Sequence, residues 1–224
     1  MVKKESQYDY TKKECKEIGE VNLGVCTSGE FRRDPKHLLF KLARYKFVAK
    51  MFDGFDTVLE VGCGDGIGAW LVQEGVGNLI AIDFDDELIK SAERRQDKYC
   101  HVGYLQSVDL SNITTGLYQG VFALDVLEHI RKDDEKEFIL NMKNALASNG
   151  VLIIGSPSLE SQPYASKPSR EGHVNCKTGQ ELKSLFLEHF DNVFLFGMND
   201  EVLHTGYNKM CHYNLVVCTG KREG

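Results

Sequence analysis

Short, largely apolar runs alternate with helical patterns between residues 57 and 155. The runs predict five buried strands, which read TVLEV, NLIAIDF, HVGYLQSVDL, GVFALDV and VLIIGSP. Between them, apolar residues recur at helical spacing, as in DDEKEFILNMKNALASNG, where Gly150 is the predicted stop. Because buried strands that alternate with helices favour a parallel sheet covered on both faces, the pattern predicts an α/β domain.

The segments on either side of this core complete the predicted fold. The stretch DPKHLLFKLARYKFVAKMF predicts an amphipathic helix, with Asp34 as N-cap and Pro35 at the first helical position. Farther along, TGQELKSLFLEHF predicts a helix, and NVFLFGM and CHYNLVVCTG predict two closing strands. We therefore expect a doubly wound, mostly parallel sheet of about seven strands, with helices on both faces and an antiparallel C-terminal edge strand.

The same pattern predicts one main domain with an extension before it. Residues 1–50 are expected to form an N-terminal helical extension, and residues 51–224 a single α/β domain. Two long polar segments, at about 156–176 and 197–210, interrupt the regular elements. Because long connections in compact domains are usually functional, we predict that both are insertions that face a substrate.

Composition and charge exclude several classes of protein. The 224 residues include 27 Lys and Arg against 33 Asp and Glu, a net charge of −6, so no long nucleic acid is expected as a partner. The polar start MVKKESQYDYTKKE has no apolar signal region, and no apolar run reaches the roughly 20 residues that span a bilayer. Seven cysteines without a C-x-x-C pair fit reduced thiols. We expect a cytoplasmic protein without a membrane partner, and its oligomeric state stays open.

The stretch VLEVGCGDGIGAW places glycines at every second position from Gly62 to Gly68, directly after the first predicted strand. A dinucleotide-binding turn would need its third glycine at Ile67, so the spacing argues against a nicotinamide enzyme. The pattern E-x-G-x-G-x-G instead resembles the first motif of class I S-adenosylmethionine-dependent methyltransferases, which have a Rossmann-like fold. The resemblance implies that Glu60 orders the loop and receives the methionine ammonium, while Gly62 and Gly64 pass beneath the cofactor.

Acidic residues at the ends of the next strands extend the resemblance. Asp83 follows Gly62 by about 20 residues and ends the second predicted strand, where a carboxylate can accept both ribose hydroxyls. Phe84 beside it is placed to stack on adenine. The family has an Asp just after the third strand, which implies that Asp109, with its neighbour Leu110, binds the adenine amino group.

The stretch FALDVLEHI resembles the fourth motif of the same family, in which a strand end faces both cofactor and substrate. Asp125 ends the strand, and Glu128 and His129 follow within one turn. His173, in REGHVN, lies in a loop that carries a histidine into the pocket of many family members. Methyl transfer to a hydroxyl requires a group that removes its proton. We expect His173 to be this base, assisted by His129, Asp125 or Glu128.

A metal-assisted reaction is the alternative. Small-RNA 2′-O-methyltransferases and some quinone-pathway O-methyltransferases place E/D-x-x-E-H at this strand end and hold a divalent cation together with a later histidine. By this resemblance Glu128, His129 and His173 would be the metal ligands, and the acceptor an RNA end, a vicinal diol or a phenol. Simple displacement without a metal is the favoured prediction.

Side chains of the two insertions and of the extension are the predicted acceptor contacts. They are Tyr164, Asn175, Asn199, His204 and Arg33. The insertions look like those of bacterial methyltransferases that modify surface saccharides or small phosphorylated metabolites, and in such proteins an N-terminal extension often closes as a lid. The predicted function is methyl transfer from S-adenosylmethionine, with S-adenosylhomocysteine as product, to an oxygen of a small polar or phosphorylated acceptor. A non-catalytic protein that senses the cofactor is the alternative from another class.

Overall fold

One mixed β-sheet runs through the computed structural model, which describes residues 8–97, 102–106, 113 and 115–222. The strands among these residues are β1 (Thr57–Val61), β2 (Asn78–Asp83), β3 (Gly103–Gln106), β4 (Tyr118–Leu124), β5 (Leu146–Pro157), β6 (Phe190–Asn199), β7 (Val202–His204) and β8 (Tyr213–Lys221). Their order across the sheet is β3-β2-β1-β4-β5-β8-β6-β7.

Eight α-helices accompany the strands in the described part of the chain. They are α1 (Asp9–Ile18), α2 (Val25–Arg33), α3 (Pro35–Met51), α4 (Ala69–Gln73), α5 (Asp86–Glu93), α6 (Glu135–Ala145), α7 (Lys167–Gly172) and α8 (Gly179–Leu187). Short 3₁₀ turns lie at Leu127–His129, Leu159–Tyr164 and Asn208–Met210. The predicted start of α3 is confirmed, because the Asp34 carboxylate accepts from the Lys36 N–H and Pro35 is the first helical residue.

The prediction of a mostly parallel sheet with an antiparallel C-terminal end is confirmed. Strands β1 to β5 pair in parallel, whereas β8 runs antiparallel between β5 and β6. The expectation of about seven strands omitted β7, which pairs antiparallel with the end of β6. Asp200, with a φ of 50°, lies in the tight turn between these two strands, so part of the predicted 197–210 insertion is a β-hairpin.

The predicted helix before β5 ends earlier than Gly150. Helix α6 stops at Ala145, and β5 begins at Leu146, which pairs with Tyr118. The carbonyls of Asn144 and Ala145 accept hydrogen bonds from residues 116 and 117, at distances of 2.8 and 3.1 Å. Pairing with the chain before β4 therefore satisfies the last helical carbonyls, and the stop signal at Gly150 lies within the strand.

Hydrophobic clusters cover both faces of the sheet. On one face, Tyr45 of α3, Phe52 directly after α3 and Ile89 of α5 pack in one cluster with strand residues such as Phe122. On the other face, four side chains of α6 and α8 pack against the strand residues Leu59, Val121 and Ile154. These four are Ile139, Met142, Leu182 and Phe186. Two covered faces explain why the central strands are almost wholly apolar.

The carboxyl ends of β1, β2 and β4 lie along one edge of the sheet. The chain leaves β1 in the glycine-rich turn, and β1 lies between β2 and β4, where the order of strands reverses. Ligands of open α/β sheets bind beside such a switch point. Within the described residues, no helix combines the length and the apolar character that crossing a membrane requires.

Replacement of Gly68 by alanine is expected to destabilise the fold by about 1–3 kcal/mol. An added Cβ would lie 2.3 Å from three atoms of the Tyr45 ring, which is buried and unable to move aside. The matched control is Gly29→Ala in α2, where an added Cβ meets nothing within 4 Å and the change is neutral or stabilising. Urea unfolding of both variants checks this; equal midpoints would contradict it.

Candidate active site

The glycine-rich turn after β1 adopts left-handed backbone conformations at alternate residues. Gly62, Gly64 and Gly66 have φ values of 77°, 56° and 72°. A Cβ on Gly62 would lie 2.3 Å from a methyl of Val126, so this glycine also allows close approach of the loop after β4. Gly68 has an ordinary helical φ of −81°, and its small size serves the contact with Tyr45 instead. The even spacing thus has two different physical causes.

Asp83 ends β2 and holds the turn in place. One carboxylate oxygen accepts from the Gly64 N–H at 2.8 Å, and the other from the Asp85 N–H at 2.9 Å. Asp85, and not Asp83, caps α5. Phe84 is 74% exposed beside this carboxylate. The predicted adenine contacts Asp109 and Leu110 lie outside the described residues.

Two adjoining cavities open at this edge of the sheet. The larger, of about 730 Å³, is lined by Asp83 and Phe84 and by apolar residues such as Val126 and Phe138. The smaller, of about 320 Å³, extends towards helices α2 and α3. Four residues line both cavities, namely Gly62, Gly64, Asp125 and His129. The glycine turn and the end of β4 therefore face one continuous cleft.

Glu60 lies buried inside β1, next to this cleft. Its Oε1 accepts from the Tyr45 hydroxyl at 2.7 Å, and its Oε2 has no hydrogen-bond partner among the described residues. Burial raises the pKa of Glu60 to about 8, although the hydrogen bond from Tyr45 opposes this shift. The carboxyl is therefore largely protonated at neutral pH and retains one unused buried oxygen.

Asp125 follows β4 in a left-handed conformation, with a φ of 58°. Both of its carboxylate oxygens accept from Nη1 of Arg44, at 2.8 and 2.7 Å. Arg44 is 6% exposed, and its guanidinium carbon lies 3.7 Å from the centre of the Tyr213 ring. Burial lowers the pKa of Arg44, but the charge and hydrogen bonds of Asp125, together with Tyr213 and Glu128, keep the pKa above its usual value. The Arg44 guanidinium thus occupies both carboxylate oxygens of Asp125.

Glu128, His129 and His173 form the polar cluster next to Asp125. Each histidine Nδ1 lies near a carbonyl oxygen, at 2.9 Å from Gly172 O for His129 and 3.0 Å from Gln162 Oε1 for His173. Since only a protonated Nδ1 can donate to a carbonyl, the neutral rings carry their lone pairs on Nε2. The rings meet edge to face, with centroids 5.1 Å apart.

Burial favours the uncharged forms of Glu128 and His173. Burial, reinforced by the charge of Asp125, raises the pKa of Glu128 to about 8. Burial and the neighbouring His129 lower the pKa of His173. Neither carboxyl oxygen of Glu128 has a hydrogen-bond partner within the described part of the chain. Glu128, His129 and His173 each offer one ligand atom, and these three atoms lie within 4.8 Å of one another. Such a group could hold a metal ion.

The five predicted acceptor contacts lie elsewhere, since none of them lines either cavity as the described residues define it. Asn175 is buried and hydrogen-bonded to Glu135. Asn199 and His204 bond to each other at 2.8 Å, which closes the tail loop on itself. Tyr164 is 90% exposed, and Arg33 is exposed at the end of α2. Polar loop residues can satisfy one another without facing a ligand, and these five residues stay predicted acceptor contacts.

Helices α2 and α3 supply cavity residues that the sequence pattern did not reveal. They are Cys26, Glu30, His37, Lys41, Arg44 and Tyr45. Asp65 of the glycine turn attaches α2, because its carboxylate accepts from the Cys26 and Thr27 N–H groups and from the Thr27 hydroxyl. It thereby caps the helix from outside its own segment. The one sequence feature that could have indicated this wall of the cavity is Arg44, a charged residue on the apolar side of a predicted helix.

Comparison with known proteins agrees with this geometry. Residues 58–150 match the family model of the methyltransferase domain. Over 108 residues the chain is 31% identical to a ubiquinone biosynthesis O-methyltransferase of Rickettsia canadensis (strain McKiel), a match that covers 48% of this chain and 45% of the relative. The chain thus spans less than half the length of this curated relative.

Solved structures share the fold. A methyltransferase from Thermotoga maritima, named a possible histamine N-methyltransferase, aligns with a TM-score of 0.66 and 16% identity over 87% of this chain and 96% of that one. The N-methyltransferase NodS from Bradyrhizobium japonicum, solved with S-adenosylhomocysteine, aligns with a TM-score of 0.58 and 18% identity over 86% and 88%. The family match covers residues 58–150, less than half of the chain, and the alignments show that the chain shares the fold of these methyltransferases.

Replacement of Glu60 by glutamine is expected to remove a pH-dependent loss of stability. An unfolded Glu60 ionises near its ordinary pKa of 4.5, whereas the buried carboxyl stays protonated up to about 8. Between these values the folded state binds more protons, so the free energy of unfolding falls as pH rises, by on the order of a few kcal/mol. Glutamine keeps an acceptor for Tyr45 without ionising. The urea midpoint of the variant, relative to that of the wild type, should be higher at about pH 8 than at about pH 5. A difference between the two proteins that does not change with pH would contradict this.

Proposed function

We propose that this chain transfers a methyl group from S-adenosylmethionine to an oxygen of a small polar acceptor. The observation that carries the proposal is the position of the cluster of Glu128, His129 and His173. It adjoins the cleft formed by the glycine turn, and each histidine ring is held by its Nδ1 so that Nε2 is available. A neutral imidazole nitrogen beside a cofactor cleft can accept a hydroxyl proton.

The residues of the cleft fit the cofactor. Glu60 retains a buried oxygen without a hydrogen-bond partner among the described residues, which suits the methionine ammonium. Each oxygen of Asp83 accepts one backbone N–H, and a carboxylate offers about four lone-pair sites, so both can still accept ribose hydroxyls. Gly62 and Gly64 allow close approach of a ligand to the backbone. When bound, the cofactor supplies an electrophilic methyl group on a sulfonium.

The chain's own groups would then remove one proton and orient one oxygen. His173 accepts the acceptor's hydroxyl proton at Nε2, and the resulting imidazolium keeps its Nδ1 proton on Gln162. The oxygen would take the methyl group that the bound cofactor supplies, with S-adenosylhomocysteine as the product. The His129 ring lies edge to face with the His173 ring. From this position His129 would contact the acceptor on the side away from His173. Holding both reactants in this orientation accounts for much of the rate enhancement in such displacements.

The lining of the smaller cavity supports a small, polar acceptor. Its volume is about 320 Å³, and α3 contributes His37 and Lys41 to its wall. Lys41 is paired with Glu30 at 2.6 Å, so this wall offers hydrogen bonds and little net charge. An oxygen acceptor is also supported by the name of the Rickettsia relative, an O-methyltransferase. We expect such an acceptor to be a soluble metabolite of the cytoplasm.

Metal assistance is the second candidate, and one observation favours it. Glu128, His129 and His173 bring a carboxylate oxygen and two imidazole nitrogens within 4.8 Å of one another, and both Glu128 oxygens lack a hydrogen-bond partner in the described region. Histidines that ligate metals usually donate their other N–H to a carbonyl, as both do here. A mixed carboxylate and imidazole set suits a divalent transition ion, which would lower the pKa of an acceptor hydroxyl.

S-adenosylhomocysteine is expected to stabilise the chain, and NAD is not. At 100 times its Kd the ligand should add roughly 2.7 kcal/mol to the free energy of unfolding. Asp83→Asn should weaken its binding at least about tenfold, because the carboxylate that accepts the ribose hydroxyls is lost. The control is Asp191→Asn, on β6 away from the cleft. A shift with NAD alone, or equal affinities of both variants, would overturn the cofactor assignment.

Loss of either cluster histidine is expected to abolish most methyl transfer while cofactor affinity stays unchanged. His173→Ala should lower kcat about 10²- to 10⁴-fold, because the general base is removed. His189→Ala, a histidine outside both cavities, is the matched control. The assay follows S-adenosylhomocysteine release with a panel of phenols, diols, phosphorylated metabolites and RNA ends, with and without chelator. Full activity in chelator would exclude the metal, and full activity of His173→Ala would exclude the proposed base.

A further inference from the structure

Behind the histidine cluster lies a buried ring of three polar side chains, Glu135, Asn175 and Lys177. The Asn175 amide donates to Glu135 Oε2 at 2.7 Å, and its oxygen accepts from Lys177 Nζ at 2.9 Å. Lys177 Nζ also lies 2.5 Å from Glu135 Oε2. The side chains of Lys177 and Glu135 are only 12% and 10% exposed. The three groups thus satisfy one another in a closed set, which we call the Glu135 ring.

The Glu135 ring joins the two loops that deliver the histidines. Glu135 is the first residue of α6, and the loop before it begins at His129. Asn175 comes two residues after His173 in sequence. The backbone N–H groups of Val174 and Asn175 both donate to the carbonyl of Glu128, at 2.9 and 3.0 Å. These two hydrogen bonds therefore connect the turn that carries His129 with the loop that carries His173.

A third segment reaches the ring through Lys177. The carbonyl of Lys177 accepts from the Leu159 N–H at 2.9 Å, at the start of the 3₁₀ turn Leu159–Tyr164. This turn contains Gln162, whose Oε1 holds Nδ1 of His173 at 3.0 Å. The turn that carries His129, the loop that carries His173 and the 3₁₀ turn Leu159–Tyr164 are thus all attached to the side chains or the backbone of the Glu135 ring residues or of their neighbours.

We infer that Glu135, Asn175 and Lys177 are positioning residues that set the spacing of the His129 and His173 rings; this rests on the proposed function of that cluster. A buried ion pair adds little stability over an apolar replacement, yet its hydrogen bonds are directional. Loss of one member leaves charged or polar groups buried without partners, so the loops must shift to reach water. A displacement of about 1 Å at the reacting groups can cost 10²-fold in rate.

A swap of charge between two positions tests this inference. Glu135→Gln leaves Lys177 without a carboxylate, and Asn175→Asp places two carboxylates against one ammonium. The double variant Glu135→Gln, Asn175→Asp restores one carboxylate beside Lys177 and lets the new amide at position 135 donate to the new carboxylate at position 175. Each single change should lower kcat about 10- to 100-fold, as for other groups that orient such histidines, with an unchanged KM for S-adenosylmethionine. The double variant should recover most of the loss. Asp191→Asn, which breaks the exposed pair with Arg222, is the control without effect.

A second measurement keeps this inference separable from the proposed function. Two-dimensional NMR of the histidine ring protons reports the arrangement of His129 and His173 whether or not methyl transfer is observed. In the wild type the two rings meet edge to face with centroids 5.1 Å apart, so their protons should give a ring-to-ring cross-peak. The single variants should weaken this cross-peak and leave the His189 signals unchanged, and the double variant should restore it.

The outcomes are decisive in either direction. Recovery of kcat and of the ring-to-ring cross-peak in the double variant supports the Glu135 ring as a positioning device. Single variants that lose thermal stability but keep the cross-peak would show a purely structural role and overturn the inference. Where Asn175→Asp does not fold, Lys177→Gln replaces it, because glutamine keeps a donor for Asn175 without the charge. Absent methyl transfer in the wild type, with a weakened cross-peak in the variants, would refute the proposed function and retain the positioning role.

Discussion

The buried ion pair between Arg44 and Asp125 is the interaction on which the candidate site depends. It joins α3 to the residue that follows β4, and the guanidinium lies over the Tyr213 ring of β8. Removing two charges from water costs several kcal/mol per ion, which their mutual attraction and the aromatic contact offset here. Loss of one partner alone would leave a buried charge, at a cost of about 3–5 kcal/mol. The pair therefore holds the helical extension and the edge of the sheet together as one unit.

The backbone at Asp125 shows how much depends on this pair. A non-glycine residue with a φ of 58° is strained, and the Asp125 N–H is held by the Gly155 carbonyl and the Tyr213 hydroxyl. The left-handed turn directs Val126 against Gly62 and starts the 3₁₀ turn that carries the cluster. The close approach that requires glycine at position 62 is thus a consequence of the conformation at Asp125.

Local sequence signals predicted the fold and the cofactor edge well. Strand and helix periods, the Asp34 cap and the alternating glycines are properties of short segments, so they can be recognised without knowledge of the tertiary structure. The contacts of Arg44, Tyr45 and Asp65 join segments far apart in the chain, and no local pattern contains them. The hydrogen bond between Asn199 and His204 of the polar tail loop is likewise absent from any local pattern. Polarity alone does not tell whether a side chain's partner is a ligand or a neighbour.

Acidic groups along this edge of the sheet are kept in different states by their surroundings. Burial favours the protonated forms of Glu60 and Glu128, whereas Asp125 is paired with the Arg44 guanidinium. The cleft therefore carries less negative charge than its composition suggests, which suits a neutral acceptor oxygen beside the histidines. In the proposed function, arrival of the methionine ammonium at Glu60 would favour ionisation of this carboxyl and release a proton. Cofactor binding and the charge of the cleft would then be coupled through one buried carboxyl, inside a strand that is otherwise apolar.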